Sequence, residues 1–188
     1  MGKGKNDSTT LRNLYGEDYE TRLGSGCISF DKEEENPSTK LFLRVLALLL
    51  VLVNIVMAVV LFPLKGLLTF LTNWGAIFTT ILILMLFWFG STREIKASKW
   101  KLATLHILFE FVLLLNLLIT IAYWLIIHSF VISNFKGAAY VHMYLVHTFP
   151  LISTFLVYKS FEIELCTHHW IIFLPIVVLY AFINYLET

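Results

Sequence analysis

Residues 41–62 read LFLRVLALLLVLVNIVMAVVLF, with only Arg44 and Asn54 strongly polar, and Pro63 closes the run. A helix rises 1.5 Å per residue, so crossing a hydrocarbon layer of about 30 Å takes about 20 residues. The run is continuous in Leu, Val and Ile and does not alternate with polar residues. Inside a bilayer only helices or closed barrels satisfy their own backbone groups, and a continuous run fits the helix. Four more runs follow at roughly 67–89, closed by Gly90, and at 102–130, 138–158 and 170–186. The third is long enough to tilt and the fifth is the shortest. Together they predict an all-α fold: a polytopic transmembrane helical bundle of about five spanning helices.

Composition agrees. Of 188 residues, 58% are hydrophobic and 14% charged, against about 25% charged in soluble domains. Mean hydropathy is +0.77. A net charge of +1 gives no basic field for nucleic acid, so none is expected as a partner. Cys27 and Cys166 are too few for a disulfide framework and read as free thiols on the inner side. The first apolar run starts too far in and is too long for a cleavable signal peptide. Asp7, Glu17, Asp18, Glu20, Asp31 and Glu33–Glu35 do not fit a mitochondrial presequence, although a spanning segment can serve as an internal address. Asn6 stands where a myristoylation motif has Ser or Thr.

Residues 1–40 read as a polar tail without a core, and 41–188 as the transmembrane domain. With five spans, one side carries Lys3, Lys5, Arg12, Arg22, Lys32, Lys40, Arg44, Arg93, Lys96, Lys99, Lys101 and Lys159, and the other only Lys65 and Lys136. The positive-inside rule puts the N-terminus inside and the C-terminus outside. Trp88, Trp100 and Trp170 then fall at the inner interface and Trp124 near the outer one.

Polar groups within the spans are costly, so their placement carries the functional information. Segment two enters from outside with Thr69, Thr72 and Asn73 on one face. Segment four enters from the same side with Tyr140, Tyr144, His147, Thr154 and Tyr158 as a stripe. Pro150 is expected to bend the helix beside His147. Thr72 lies about five residues into its span and His147 about nine, so the two can meet in the outer half of the bilayer. His128 ends segment three on the same side. His142 lies well around the helix from His147. A Thr hydroxyl beside an imidazole is a nucleophile–base pair suited to an acyl ester dissolved in lipid. Judged by spacing alone, such residues more commonly bond across helices as packing groups.

An inner cluster combines His106 and Glu110, one helical turn apart, with His168 and His169. Three imidazoles and a carboxylate are a candidate zinc or iron set, but a hydrogen-bonded His–Glu pair with interfacial histidines is the commoner arrangement. No cofactor or resident metal is expected.

Leu68-Thr69-Phe70-Leu71-Thr72-Asn73-Trp74 resembles the characteristic segment of the androgen-induced membrane-protein family and its rolling-stone relatives, and Val146-His147-Thr148-Phe149-Pro150 resembles that family's histidine helix. The resemblance runs from about Leu41 to the C-terminus. It implies a multi-pass intramembrane hydrolase with a threonine nucleophile and a histidine, cleaving fatty acid esters of hydroxy fatty acids. It places the nucleophile on Thr72 and the histidine on His147, with Asn73 assisting and Thr69 and His142 as competing alignments. Two departures accompany it: family members usually carry a further helix after the region matching segment five, and they begin almost directly with a helix rather than a polar tail.

Two functions follow as expectations. One is an accessory subunit of a larger membrane complex built on this hydrolase-like fold, binding other membrane subunits partly through the 1–40 tail. By analogy with small polytopic subunits, the setting would be an energy-transducing complex of the mitochondrial inner membrane. The departures favour this reading. The alternative is an active threonine-dependent carboxylic ester hydrolase using Thr72 and His147. The mitochondrial inner membrane and the endoplasmic reticulum are the leading locations. No charged pathway or broken-helix repeat points to a transporter.

Overall fold

A computed structural model describes residues 28–29, 36–62, 70–90, 99–160, 162–163, 165, 174–175 and 178. Helix α1 spans Pro37–Leu61. Asn36 caps it, its side chain accepting the Ser38 N–H at 3.0 Å, and Pro37 supplies a preset φ in the first turn. The helix therefore begins four residues before the apolar run, and residues 37–40 belong to it rather than to the tail. It stops at Leu61 because Phe62 precedes a proline and is held extended, at φ −128° and ψ 150°.

Helix α2 spans Leu71–Gly90, starting four residues later than expected. Helix α3 spans Lys99–Ala122 and runs on through a π-turn, Tyr123–Ile127, into the short α4, His128–Val131, and a 3-10 turn, Ile132–Asn134. Helix α5 spans Gly137–Ser160. Gly137 starts it at φ +58°, a conformation that favours glycine. Pro150 lies inside α5 without ending it. Among the described residues, four helices are thus long and apolar enough to cross a membrane: Pro37–Leu61, Leu71–Trp88, Trp100–Phe130 and Gly137–Ser160. The fifth expected span, 170–186, lies outside the described residues save 174–175 and 178.

Contacts fix how the helices run. Arg44 Nη2 donates to Ser160 O at 3.3 Å and Asn54 Nδ2 to Leu145 O at 3.1 Å, so α1 is antiparallel to α5. Phe78 meets Phe111 edge-on and Gly75 lies against Asn116 and Ile119, so α2 is antiparallel to α3. Phe109 stacks on Tyr158 and Thr120 bonds His147, so α3 is antiparallel to α5. The four form an up–down bundle around Ala47, Val51, Leu82, Leu86, Leu105, Phe109, Val112 and Leu115. The buried face of α5 recurs every three or four residues through His142, Val146, Pro150, Ser153, Val157 and Ser160. That face includes two small serines, and the buried stripe of α1 includes Ala47, Val51 and Ala58; small residues let helix backbones approach closely.

The outside is apolar: Val60, Leu125 and Phe130 are 75%, 79% and 77% exposed. The inside holds Asn54, Thr79, Asn116, Ser153 and Thr154, all buried. A water-soluble helix would show the reverse. At the end of the bundle where α1 and α3 start, Ile28–Ser29 pairs antiparallel with Glu162–Ile163. Lys40, Arg44, Lys99, Lys101 and Lys159 lie toward that end, and Lys136 toward the other.

Candidate functional site

The site forms where the first turn of α2 meets the middle of α5. Thr72 is the second residue of α2 rather than about the fifth, because the helix begins at Leu71. His147 is the eleventh residue of α5. The two meet, with Thr72 Oγ1 3.3 Å from His147 Nε2. On the ring's other side, His147 Nδ1 is 2.6 Å from Met143 O, the carbonyl one turn back. A carbonyl only accepts, so Nδ1 carries the proton and donates. In the neutral ring Nε2 is then the acceptor, and Thr72 donates its hydroxyl proton toward it. The 3.3 Å separation is at the long end for a hydrogen bond.

Two contacts from α3 hold the histidine. Thr120 Oγ1 donates to His147 O at 2.8 Å. The Tyr123 ring lies nearly parallel to the imidazole, with centroids 3.5 Å apart and planes 8° apart. Tyr123 opens the π-turn, whose His128 N–H donates to Tyr123 O five residues back. π-turns inside α-helices frequently mark functional sites.

These residues wall a cavity of about 480 Å³, within the size range of small-molecule sites. Thr72, Asn73, Tyr123, His142 and His147 supply its polar groups, while Phe62, Phe70, Phe135, Ile119 and Val146 make most of the wall apolar. His142 lines the same cavity as His147, contrary to the expectation that it lay too far around the helix. Its Nδ1 is buried without a hydrogen-bond partner and its ring meets Phe62 at 5.4 Å. The hydroxyl contact, however, goes to His147. Thr69 lies outside the described residues. Thr72 sits where the positive end of a helix dipole favours developing negative charge.

The rest of the polar stripe separates into other uses. Tyr144 joins Tyr140 at 2.8 Å and His128 at 3.1 Å. Thr154 bonds Asn116 at 3.0 Å, and Tyr158 stacks on Phe109. Asn116 also donates to Thr79 at 2.8 Å, tying α2, α3 and α5 together. At the opposite end, His106 Nε2 is 3.2 Å from Glu110 Oε1, both buried in the bundle. His168 and His169 lie outside the described residues, and among the described residues no cluster of three metal-ligating side chains forms. Thr79, Asn116, Thr120 and Tyr123 escaped the sequence reading, and Asn54 entered it only as a polar residue of its run. The two asparagines were the visible signal, as isolated amides inside apolar runs. No known protein family, no curated protein and no solved structure matches the chain.

Proposed function

We propose that the chain is an intramembrane, threonine-dependent carboxylic ester hydrolase. One observation carries this reading: the Thr72 hydroxyl faces the unprotonated nitrogen of His147, itself oriented by Met143 O, at the wall of a largely apolar cavity. In the first half-reaction Thr72 Oγ1 adds to the ester carbonyl carbon as its proton passes to His147 Nε2. The carbonyl electron pair moves onto oxygen. When the tetrahedral intermediate collapses, the alkoxy C–O bond breaks and the leaving oxygen takes the proton from His147. In the second, water attacks the acyl-threonine with the same histidine as base, freeing the acid and restoring Thr72. The substrate class, fatty acid esters of hydroxy fatty acids, comes from the resemblance of 68–74 and 146–150 to the androgen-induced membrane-protein family.

The membrane reading is five spans with the N-terminus inside and the C-terminus outside. Five described cations toward one end of the bundle against one toward the other support it. The location is the inner mitochondrial membrane or the endoplasmic reticulum. An accessory subunit with membrane partners is the competing role; it needs no hydroxyl–imidazole contact beside a cavity, so the geometry favours hydrolysis.

The test is labelling of the detergent-solubilised chain with a fluorophosphonate probe. Labelling should reach Thr72 and disappear in Thr72→Ala and His147→Ala. Labelling unchanged in Thr72→Ala refutes the assignment.

A further inference from the structure

We infer that Tyr123 is a positioning residue for His147, its π-face stacked on the imidazole to hold the ring plane and to receive the positive charge that forms there. This rests on the hydrolase reading above. A hydrogen bond from Nδ1 to Met143 O fixes which nitrogen carries the proton, but it leaves the ring able to tilt about that bond. The stack removes that freedom: centroids 3.5 Å apart and planes 8° apart are face-to-face contact. Aromatic pairs in proteins usually prefer offset or edge-on packing over a close parallel sandwich. The arrangement acquires a purpose when His147 takes the Thr72 proton, because a cation lying on the negative face of a phenol ring is stabilised, most strongly where water is excluded. Tyr123 is 1% exposed.

The backbone is built for the contact. The π-turn at Tyr123–Ile127 adds a residue to one turn of the helix, and Tyr123 is its first member. The tyrosine hydroxyl is buried and makes no hydrogen bond, so the ring and not the hydroxyl carries the effect.

The experiment uses the full chain in detergent micelles, with 4-nitrophenyl palmitate as substrate. It compares the parent protein, Tyr123→Phe, Tyr123→Leu and the chain carrying trifluorophenylalanine at position 123. Tyr123→Phe keeps the π-face and should retain most of the kcat that Tyr123→Leu loses. Tyr123→Leu should lose roughly thirtyfold in kcat with KM unchanged, the kinetic equivalent of a desolvated cation–π contact. Trifluorophenylalanine keeps the ring's shape but withdraws its electron density, so its kcat should fall below that of Tyr123→Phe, a comparison that stands even if Tyr123→Leu does not fold. Three results overturn the proposal: kcat in the fluorinated protein equal to that of Tyr123→Phe, a change confined to KM, or an equal loss in Tyr123→Phe and Tyr123→Leu. A parent protein without esterase activity overturns both the hydrolase reading and this one. Activity that needs Thr72 but is indifferent to the ring at 123 overturns this one alone.

Discussion

Gly75 of α2 lies against Asn116 and Ile119 of α3, and Gly75→Ala tests how that contact is held. A Cβ at 75 would stand 2.6 Å from Asn116 Oδ1 and 2.9 Å from Ile119 Cδ1. The isoleucine methyl ends a flexible side chain and can turn away. The Asn116 amide cannot turn without breaking Nδ2 bonds to Thr79 and Thr154 at 2.8 and 3.0 Å. Overpacking of this kind costs about 1–3 kcal/mol. Two polar bonds between membrane helices add about 0.6 kcal/mol each. Alanine's better helix propensity returns about 1 kcal/mol. The net expectation is a loss of about 2 kcal/mol, opposite in sign to what helix propensity alone would give. Equilibrium unfolding by SDS titration in mixed micelles measures it, and the same substitution in an Asn116→Ala background isolates the cause. There the 2.6 Å contact is absent, and Gly75→Ala should be neutral or stabilising. An equal destabilisation in both backgrounds would show that Asn116 is not what Gly75 accommodates.

Asn54→Leu removes an amide whose Oδ1 is buried without a partner and whose Nδ2 bonds Leu145 O. Replacing a half-satisfied polar group by an apolar one of similar size should change stability by less than about 1 kcal/mol, checked by the same titration. Thr120→Val removes the bond to His147 O while keeping the side chain's shape, and should slow 4-nitrophenyl ester turnover severalfold without altering the fold seen by circular dichroism. Thr72→Ser keeps a hydroxyl on the same turn and should retain labelling that Thr72→Ala loses. Reporter tags at the two termini should appear on opposite sides of the membrane; finding them in one compartment would remove the five-span layout.

The helices were legible because membrane crossing is a problem of length and apolarity, and both can be read directly from sequence. Their ends were less so. Hydropathy falls at Lys99 and Trp100, yet α3 begins there, since lysine and tryptophan extend a helix comfortably into an interface. The Asn36–Pro37 start was written in the sequence as a cap followed by a first-turn proline, but it lies in polar residues that a search for apolar runs passes over. The meeting of Thr72 with His147 was foreseen from the side on which each helix enters and the face each residue occupies. His142 was misjudged: five residues turn a helix about 140° from the start, but the cavity is wide enough for both rings to line it. The π-turn has no sequence signature, and with it Tyr123 was hidden.

Threonines in these helices were open to two readings, as packing groups or as chemistry, and the structure divides them by position. Thr79, Thr80 and Thr154 each donate to the carbonyl four residues back, at 2.7, 2.9 and 2.8 Å. That is how a hydroxyl in the body of a buried helix is ordinarily satisfied, and it leaves the proton committed to the backbone. Thr72 has no such option within α2, because the helix starts one residue before it and contains no carbonyl four positions back. Its hydroxyl proton is therefore not committed to a carbonyl of α2, and among the described residues it faces His147 Nε2. A threonine moved one turn further into α2 would have the backbone carbonyl as a competing partner. Placement in the first turn thus separates Thr72 from Thr79, Thr80 and Thr154, whereas Thr120, in the body of α3, donates across to His147 O and helps hold the imidazole in place.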